Sequence, residues 1–253
     1  MTAKANEKKS EPFSLKSAEP AIPPSGKLAE KPTFETNFSK DWKEKSGEWR
    51  VATWMQNDTQ MSPDRCRINK DGMMVQTVLP ELPGRGGSMQ TDREFGFGRW
   101  VARVRPSAVP GALNSIFTKD WDDLTTHERN DDGKHAEVDI EFLTYTFGKN
   151  SGKVHLAIHF KDAMNYWEDD VPLDFDPSEN FHEWGFDILP DRVIWHVDGK
   201  KICEWLYTKD RKIDPDYEFF FNSWTQKKWI KGPPEKEAHY LIDYVKFYPY
   251  ISE

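Results

Sequence analysis

Ten residues, KHAEVDIEFL at positions 134–143, indicate most directly how this chain folds. Within them the acids Glu137, Asp139 and Glu141 alternate with three apolar residues, Val138, Ile140 and Phe142. A period of two is typical of a β-strand, which would carry three carboxylates on one face and three apolar side chains on the other. Neighbouring like charges repel, and each costs free energy where it is desolvated, so the acidic face requires a chemical explanation.

Glycoside hydrolysis is a reaction that uses such a face. It needs one carboxylate to attack the sugar or activate water, and one carboxylic acid to protonate the leaving oxygen. Glu137 and Glu141 lie about 13 Å apart along an ideal strand, and side chains leaning together on a curved strand would close most of that distance. Asp139, between them, would help to hold their pKa values apart. Two other interpretations stay open: a solvent-exposed acidic face, and a divalent-cation site.

Several stretches of the sequence resemble glycoside hydrolase family 16. The residues AEVDIEFL are similar to its E-x-D-x-E signature as it occurs in bacterial lichenases and xyloglucan-active enzymes. Four more stretches match in the family's order: FGFGRWVARVRP (95–106), FHEWGFDILPDRVIWHVDGK (181–200), FFFNSWT (219–225) and HYLIDYVKFY (239–248). The resemblance covers roughly residues 34–250. It implies an all-β jelly-roll sandwich, in which two antiparallel sheets form a concave substrate groove.

The resemblance also implies roles for the acids. In a retaining enzyme, Glu137 would be the nucleophile and Glu141 the acid and then the base, with Asp139 hydrogen-bonded to Glu137. His155 and His159 share one face of a predicted strand, KVHLAIHF (153–160), that would border the acids. We expect substrate contacts from these two histidines and from five further residues: His135, Asn222, Trp224, Trp229 and the loop residue Trp121, for which packing is an equal alternative.

Departures from the lichenase pattern affect the expected substrate. His135 stands where lichenases have Trp and xyloglucan-active members have His, while Ser88 and Gln90 replace a Glu and an Arg that contact sugar. A β-1,3/1,4-glucan is the first choice. The alternatives are xyloglucan or another plant or algal β-glycan, acted on by a hydrolase or a transglycosylase. A lectin-like domain that binds sugar without cleaving it is the hypothesis from a different class.

A structural calcium ion is a further expectation. In lichenases, an Asp at the position of Asp243 binds calcium together with backbone oxygens, one of them at a Gly that matches Gly72. Oxygen ligands of this kind suit calcium. We expect no cofactor for catalysis itself.

Composition limits the other functions. The chain has 253 residues, 14% aromatic residues and 11 Trp, which is more Trp than a core usually takes and fits a groove lined with rings. Its net charge of −8 argues against nucleic acid and anionic membrane surfaces as partners. No apolar run approaches the length of a membrane span. We therefore expect a polysaccharide substrate and a monomer.

The expected organisation is a flexible tail or linker at residues 1–32, rich in Lys, Glu, Ser and Pro, followed by the hydrolase domain at 33–253. No signal peptide is visible. Because a polysaccharide substrate lies outside the cell, we expect the native leader to be missing from this sequence and the protein to be secreted, periplasmic or on the cell surface. Cys66 and Cys203 could form one disulfide or stay free.

Overall fold

Strands dominate the described residues of the computed structural model, which are 11–38, 42, 48–120 and 136–252. Two 3₁₀ turns, Pro63–Arg65 and Thr144–Thr146, interrupt them. The strands are β1 Lys27–Leu28, β2 Phe34–Thr36, β3 Trp49–Val51, β4 Met55–Gln56, β5 Thr59–Met61, β6 Cys66–Ile68, β7 Met74–Val78, β8 Gly84–Thr91, β9 Gly98–Arg105, β10 Leu113–Lys119, β11 Ala136–Leu143, β12 Gly152–Phe160, β13 Ala163–Leu173, β14 His182–Ile188, β15 Arg192–Val197, β16 Lys200–Leu206, β17 Glu218–Trp224 and β18 Ala238–Ile251.

These strands form two nine-stranded sheets within the described part of the chain. The first has the order β16-β15-β14-β9-β18-β7-β6, with β1 and β2 also paired to β18. The second has the order β13-β12-β11-β10-β17-β8-β5-β4, with β3 also paired to β8. Pairing is antiparallel except between β5 and β8, which run parallel. The expected all-β jelly-roll sandwich is confirmed.

The apolar face of β11 packs into the core between the sheets. Val138, Ile140 and Phe142 are fully buried, and the Phe142 ring meets Trp184 of the other sheet edge-on, with 5.0 Å between the ring centroids. Burying each such side chain stabilises the fold by about 1.5–3 kcal/mol. The three acids of β11 consequently point to the outer face of their sheet.

Neighbouring strands place specific residues beside each acid. Glu137 lies between Lys119 of β10 and His159 of β12 in the sheet register, and Glu141 lies between Ser115 and His155. Side chains directly opposite each other in antiparallel strands share a face and lie about 5 Å apart at Cβ. The histidine face predicted for residues 153–160 therefore does border the acids.

A tight turn fixes the hairpin of β15 and β16. Asp198 and Gly199 both have positive φ values, 48° and 72°, which is the conformation that a two-residue type I′ turn requires. Asp-Gly tolerates this conformation because Gly has no Cβ and Asp is among the residues that adopt it most readily. The Asp-Gly pair is thus the sequence signal of this hairpin.

Residues 11–32 contact the sandwich, which the tail-like composition did not indicate. The Phe13 amide donates to the Pro172 carbonyl at 2.7 Å, and β1 pairs with the end of β18. Ala21 is buried, and its carbonyl accepts a hydrogen bond from Arg99. The proposed division of the chain at residue 32 stays a prediction, but this part of the segment is fixed to the domain by hydrogen bonds.

No disulfide joins Cys66, which is buried, to Cys203, which is half-buried. Of the two alternatives left open by the sequence, the structure thus has the one without a disulfide. A helix long and apolar enough to cross a bilayer is not found among the described residues.

Candidate active site

A cleft of about 940 Å³ opens above the acidic face of β11. Six of the predicted site residues line it: Glu137, Glu141, His155, His159, Trp224 and Trp229. The two glutamates therefore face one common cavity, as the sequence-based hypothesis requires. Asp139 lies between them on the same face and is almost fully buried.

Lys119 of β10 forms an ion pair with Glu137 across the sheet. Its Nζ lies 3.3 Å from Glu137 Oε2, and the two residues are directly opposite in β10 and β11. Burial raises the pKa of Glu137, the Lys119 charge lowers it, and the net result is a pKa of about 6. Glu137 is therefore mostly ionised at neutral pH.

Glu141 is surrounded by other acids. Burial and then the charges of Asp139, Glu137, Glu168 and Asp170 raise the pKa of Glu141 well above its usual value. All five of these causes act in the same direction, whereas Lys119 opposes the rise for Glu137. Glu141 therefore holds its proton more strongly than an ordinary glutamate, whereas the Lys119 charge opposes the same tendency in Glu137.

His159 contacts Asp139. Its Nε2 lies 3.2 Å from Asp139 Oδ2, while its Nδ1 accepts a hydrogen bond from the Asn165 amide at 2.9 Å. A nitrogen that accepts a hydrogen bond carries no proton, so this bond belongs to the neutral form of the ring, with its proton on Nε2, and the charged form gives the bond up. Burial lowers the pKa of His159, but Asp139 and then Glu137 outweigh burial and raise it to about 9. Charging His159 therefore has to break its bond to Asn165.

His155 forms a small network beside Glu141. Its Nδ1 lies 2.7 Å from Asp170 Oδ1, and its Nε2 lies 3.7 Å from Glu168 Oε1 and 4.0 Å from Glu141 Oε2. The hydrogen bond from His155 lowers the pKa of Asp170, against burial. Asp170 consequently orients the ring and directs its other nitrogen towards Glu141 and Glu168.

Aromatic rings form one side of the cleft. Trp224 and Trp229 lie 6.1 Å apart between ring centroids, and Trp229 meets the His155 ring edge-on at 5.4 Å. The Trp224 indole N–H has no acceptor among the described residues, so a bound hydroxyl could supply one. Rings in this position suit the apolar faces of sugars.

An aromatic pair also lies beside the acids, on the same face of the sheet. Phe117, opposite Asp139 in the register, stacks on Phe220 of β17 with 4.6 Å between centroids. Both rings are buried. This apolar surface limits hydration around the acids, which fits burial as the largest cause of the raised pKa values of Glu137 and Glu141.

One described substrate candidate, Asn222, is not among the residues that line the cleft. Asn222 is buried, and its Oδ1 accepts a hydrogen bond from Ser115, the residue opposite Glu141. His135 and Trp121 lie outside the described residues, so the expectations placed on them, including the xyloglucanase-like one, stay predictions.

The two residues named for the calcium site, Asp243 and Gly72, lie within the described part of the chain. The Asp243 carboxylate forms an ion pair with the Arg103 guanidinium, so its charge is already balanced by a side chain of the protein. Gly72 lies in a turn with φ of 85°. Within residues 11–38, 42, 48–120 and 136–252, no group of three or more His, Cys, Asp or Glu is placed to hold a metal ion. Calcium binding stays a prediction, to be tested by metal analysis of the purified protein.

Several cleft residues did not emerge from the sequence. They are Lys119, Met164, Asn165, Gln226 and the acids Glu168, Asp169 and Asp170; Gln56 and Asn57 also line the cleft. Nothing local in the sequence shows that β13, which carries the three acids, folds back beside β12. Lys119 ends a recognisable strand, but only the register with β11 places it beside Glu137.

Comparison with protein families gives one match that spans most of the chain. A sequence model described as "Glycosyl hydrolases family 16" matches residues 46–246. A beta-glucanase of Acetivibrio thermocellus is 28% identical over 81% of this chain and 60% of its own length. A beta-glucanase of Bacillus subtilis is 32% identical over 46% of this chain and 42% of its own length. The chain thus spans about 60% of the length of the first of these relatives.

Solved structures share the fold at low sequence identity. A prokaryotic beta-1,3-1,4-glucanase (lichenase) from a mouse hindgut metagenome has a TM-score of 0.68 at 23% identity, covering 86% of this chain and 99% of its own. The laminarinase catalytic domain from Thermotoga maritima has a TM-score of 0.72 at 16% identity, covering 88% and 99%. These likenesses concern the fold.

Proposed function

Because the chain belongs to glycosyl hydrolase family 16, we propose that it is a retaining, endo-acting glycoside hydrolase that cleaves a β-linked glucan, with a β-1,3/1,4-glucan as the preferred substrate. The relatives named above support this choice, since they are described as beta-glucanases. The observation that carries the proposal is that Glu137 and Glu141 line one cleft, where the Lys119 charge opposes the rise in the pKa of Glu137 and neighbouring acids add to that of Glu141.

The first chemical step is a displacement at the anomeric carbon. The ionised Glu137 attacks that carbon and forms a glycosyl ester as the glycosidic C–O bond breaks. The bonding electrons go to the leaving oxygen, which takes the proton of Glu141. Lys119 keeps Glu137 ionised before the attack, and the surrounding acids keep Glu141 protonated.

The second step reverses these roles. Glu141, now ionised, takes a proton from the incoming water as the water oxygen bonds to the anomeric carbon. The ester bond to Glu137 breaks and returns its carboxylate. Two inversions give net retention, so the first product formed is the β-anomer. A sugar hydroxyl in place of water would give transglycosylation.

Substitution of the nucleophile tests this proposal. We expect Glu137→Gln to abolish release of reducing ends from barley-type mixed-linkage glucan, and Glu141→Gln to lower kcat by roughly 10²- to 10⁴-fold, the usual contribution of a general acid. Glu35 is an acid on β2 that is paired with Lys246. The variant Glu35→Gln is therefore the matched control and should keep full activity. Wild-type rates for Glu137→Gln would refute the assignment.

A polymer panel separates substrates and function classes. Mixed-linkage glucan, laminarin, carboxymethyl cellulose and xyloglucan are compared by new reducing ends, loss of viscosity and product linkage. Rapid loss of viscosity with few reducing ends indicates endo cleavage, and proton NMR of the first product gives its anomer. Binding to a polymer without any new reducing ends would favour the lectin-like alternative.

We also propose that the protein acts outside the cytoplasm, as a monomer. A glucan polymer cannot enter a cell, which supports a secreted, periplasmic or surface location. Fractionation of the source cells and light scattering of the purified protein test these two points.

A further inference from the structure

A second pocket, of about 550 Å³, lies on the sheet opposite the catalytic cleft. Its floor and walls come from four neighbouring strands, β6, β7, β18 and β9. One row of paired residues crosses these strands and lines the pocket, in the order Arg67, Val75, Leu241 and Arg105. Two arginines therefore flank an apolar floor of two residues.

The spacing allows both guanidinium groups to reach one ligand. Three strand intervals of about 4.8 Å separate the ends of this row, so the Arg67 and Arg105 backbones are roughly 14 Å apart. Each arginine side chain is long enough to cross a neighbouring strand, so a ligand above Val75 and Leu241 would be within reach of both charged groups. Asn69 and His239 add polar groups at the edge of the same pocket.

The two arginines lack acidic partners in the described part of the chain. Neither Arg67 nor Arg105 has a carboxylate within 4 Å among the described residues, although the protein carries a net charge of −8. Arg103, two residues from Arg105, is by contrast paired with Asp243. The Arg105 guanidinium instead lies 5.1 Å from the centre of the Phe181 ring, which leaves its outer edge free for a ligand.

The rest of the pocket is compatible with an anion. Asn69 Oδ1 already accepts hydrogen bonds from the Asp71 and Met73 amides, so its NH₂ group is the part left to donate. Burial and the charge of Arg67 lower the pKa of His239. One acid, Glu237, lies at the rim, 3.8 Å from His239 Nε2.

We propose that this pocket binds an oxyanion, such as a sulfate or carboxylate group on a sugar, held by Arg67 and Arg105 with the sugar ring on Val75 and Leu241. Arginine matches such groups with two parallel N–H donors, and charge-assisted bonds of this kind are the stronger ones. Because the pocket is on the other sheet, an acidic polysaccharide bound there leaves the catalytic cleft free. The proposal does not rest on the catalytic function.

Isothermal titration of the full chain with sodium sulfate tests the site, with sodium chloride at matched ionic strength as the reference. We expect saturable sulfate binding by the wild type. Arg67→Gln and Arg105→Gln should each weaken it roughly tenfold, the effect of losing one charge-assisted hydrogen bond. Arg85→Gln is the matched control, because Arg85 is a surface arginine paired with Glu81. Binding that both pocket variants retain, or no saturable binding at all, would overturn the proposal.

A second titration identifies the source of the anion. A hexamer of galacturonic acid is compared with inorganic sulfate and with cellohexaose. Tighter binding of the acidic hexamer, lost in Arg67→Gln and Arg105→Gln, supports an acidic polysaccharide, whereas sulfate binding without hexamer binding restricts the site to free anions and overturns the sugar part of the proposal. Hydrolysis of neutral glucan by the Arg67→Gln variant should match the wild type, and thermal melts verify that both variants are folded.

Discussion

At the scale of single residues, Lys119 decides which glutamate is ionised. Without it, burial and Asp139 would raise the pKa of Glu137 further, because these effects are opposed chiefly by the Lys119 charge. The ionisation of the proposed nucleophile thus depends on one cation from the neighbouring strand. The residue is not part of the E-x-D-x-E pattern and has no signal in the sequence that marks it as functional.

Substitution of Lys119 tests that role through the pH profile. Since Glu137 must be ionised to attack, kcat/KM of the wild type should fall below about pH 6. In Lys119→Met the pKa of Glu137 rises, so this acidic limb should move to higher pH. Lys246→Met, on the other sheet, removes a charge far from the cleft and serves as control. An acidic limb that does not move in Lys119→Met would contradict the role of this cation.

At the scale of elements, negative charges on strand β13 act on Glu141, which lies two strands away on β11. Its acids Glu168 and Asp170 act on Glu141 of β11 across β12, directly and through His155. An edge strand lies partly in solvent, so its charged side chains cost little there. Strand β13 can therefore raise the pKa of Glu141, the proposed general acid. No local sequence pattern shows that this strand lies near Glu141.

Neutralising that strand should shift the alkaline side of the profile. In Glu168→Gln one negative charge near Glu141 disappears, which lowers the pKa of Glu141. The proton needed by the leaving group is then lost at lower pH, so the alkaline limb of kcat/KM should move down while the acidic limb stays. Glu179→Gln, an exposed acid outside the cleft, is the control. Equal profiles for Glu168→Gln and the wild type would show that β13 does not influence the acid.

At the scale of the whole molecule, the two buried glutamates of the cleft should lower the free energy of unfolding. An acid with a raised pKa in the folded state loses its proton more easily in the unfolded chain. The free energy of unfolding therefore falls as the pH rises above the pKa that this acid has in the unfolded chain. Glu137 and Glu141 both have raised pKa values, so each should reduce the free energy of unfolding at neutral pH. The sandwich core compensates for this cost.

This predicts an inactive variant that is more stable. Glu141→Gln keeps the side-chain shape without a charge, so its Tm should exceed that of the wild type at pH 8, and the difference should shrink towards pH 4. Thermal melts across this range, with Glu35→Gln as a surface control, measure the effect. A Tm difference that is independent of pH would show that the carboxyl group of Glu141 has the same pKa in both states.

Local pattern was sufficient for the elements that repeat with a period of two. The alternation in β11 predicted its strand, its buried face and the common direction of Glu137 and Glu141, because a side chain's face follows from chain position alone. The Asp198-Gly199 turn followed from the few residues that tolerate positive φ. Composition was a poorer guide at the N-terminus: Phe13 and Ala21 find partners in the sandwich, and a Pro-rich, polar sequence does not show whether such partners exist.

The sequence by itself determined the strands, the sandwich and the three acids that share a face. Only the tertiary structure decided which residues of other strands surround those acids: Lys119 beside Glu137, His159 on Asp139, and His155 with Glu168 and Asp170 near Glu141. The physical reason is that pairing register joins residues far apart in the chain. The ionisation of each carboxylate depends on burial and on charges within a few ångströms, whichever part of the chain provides them.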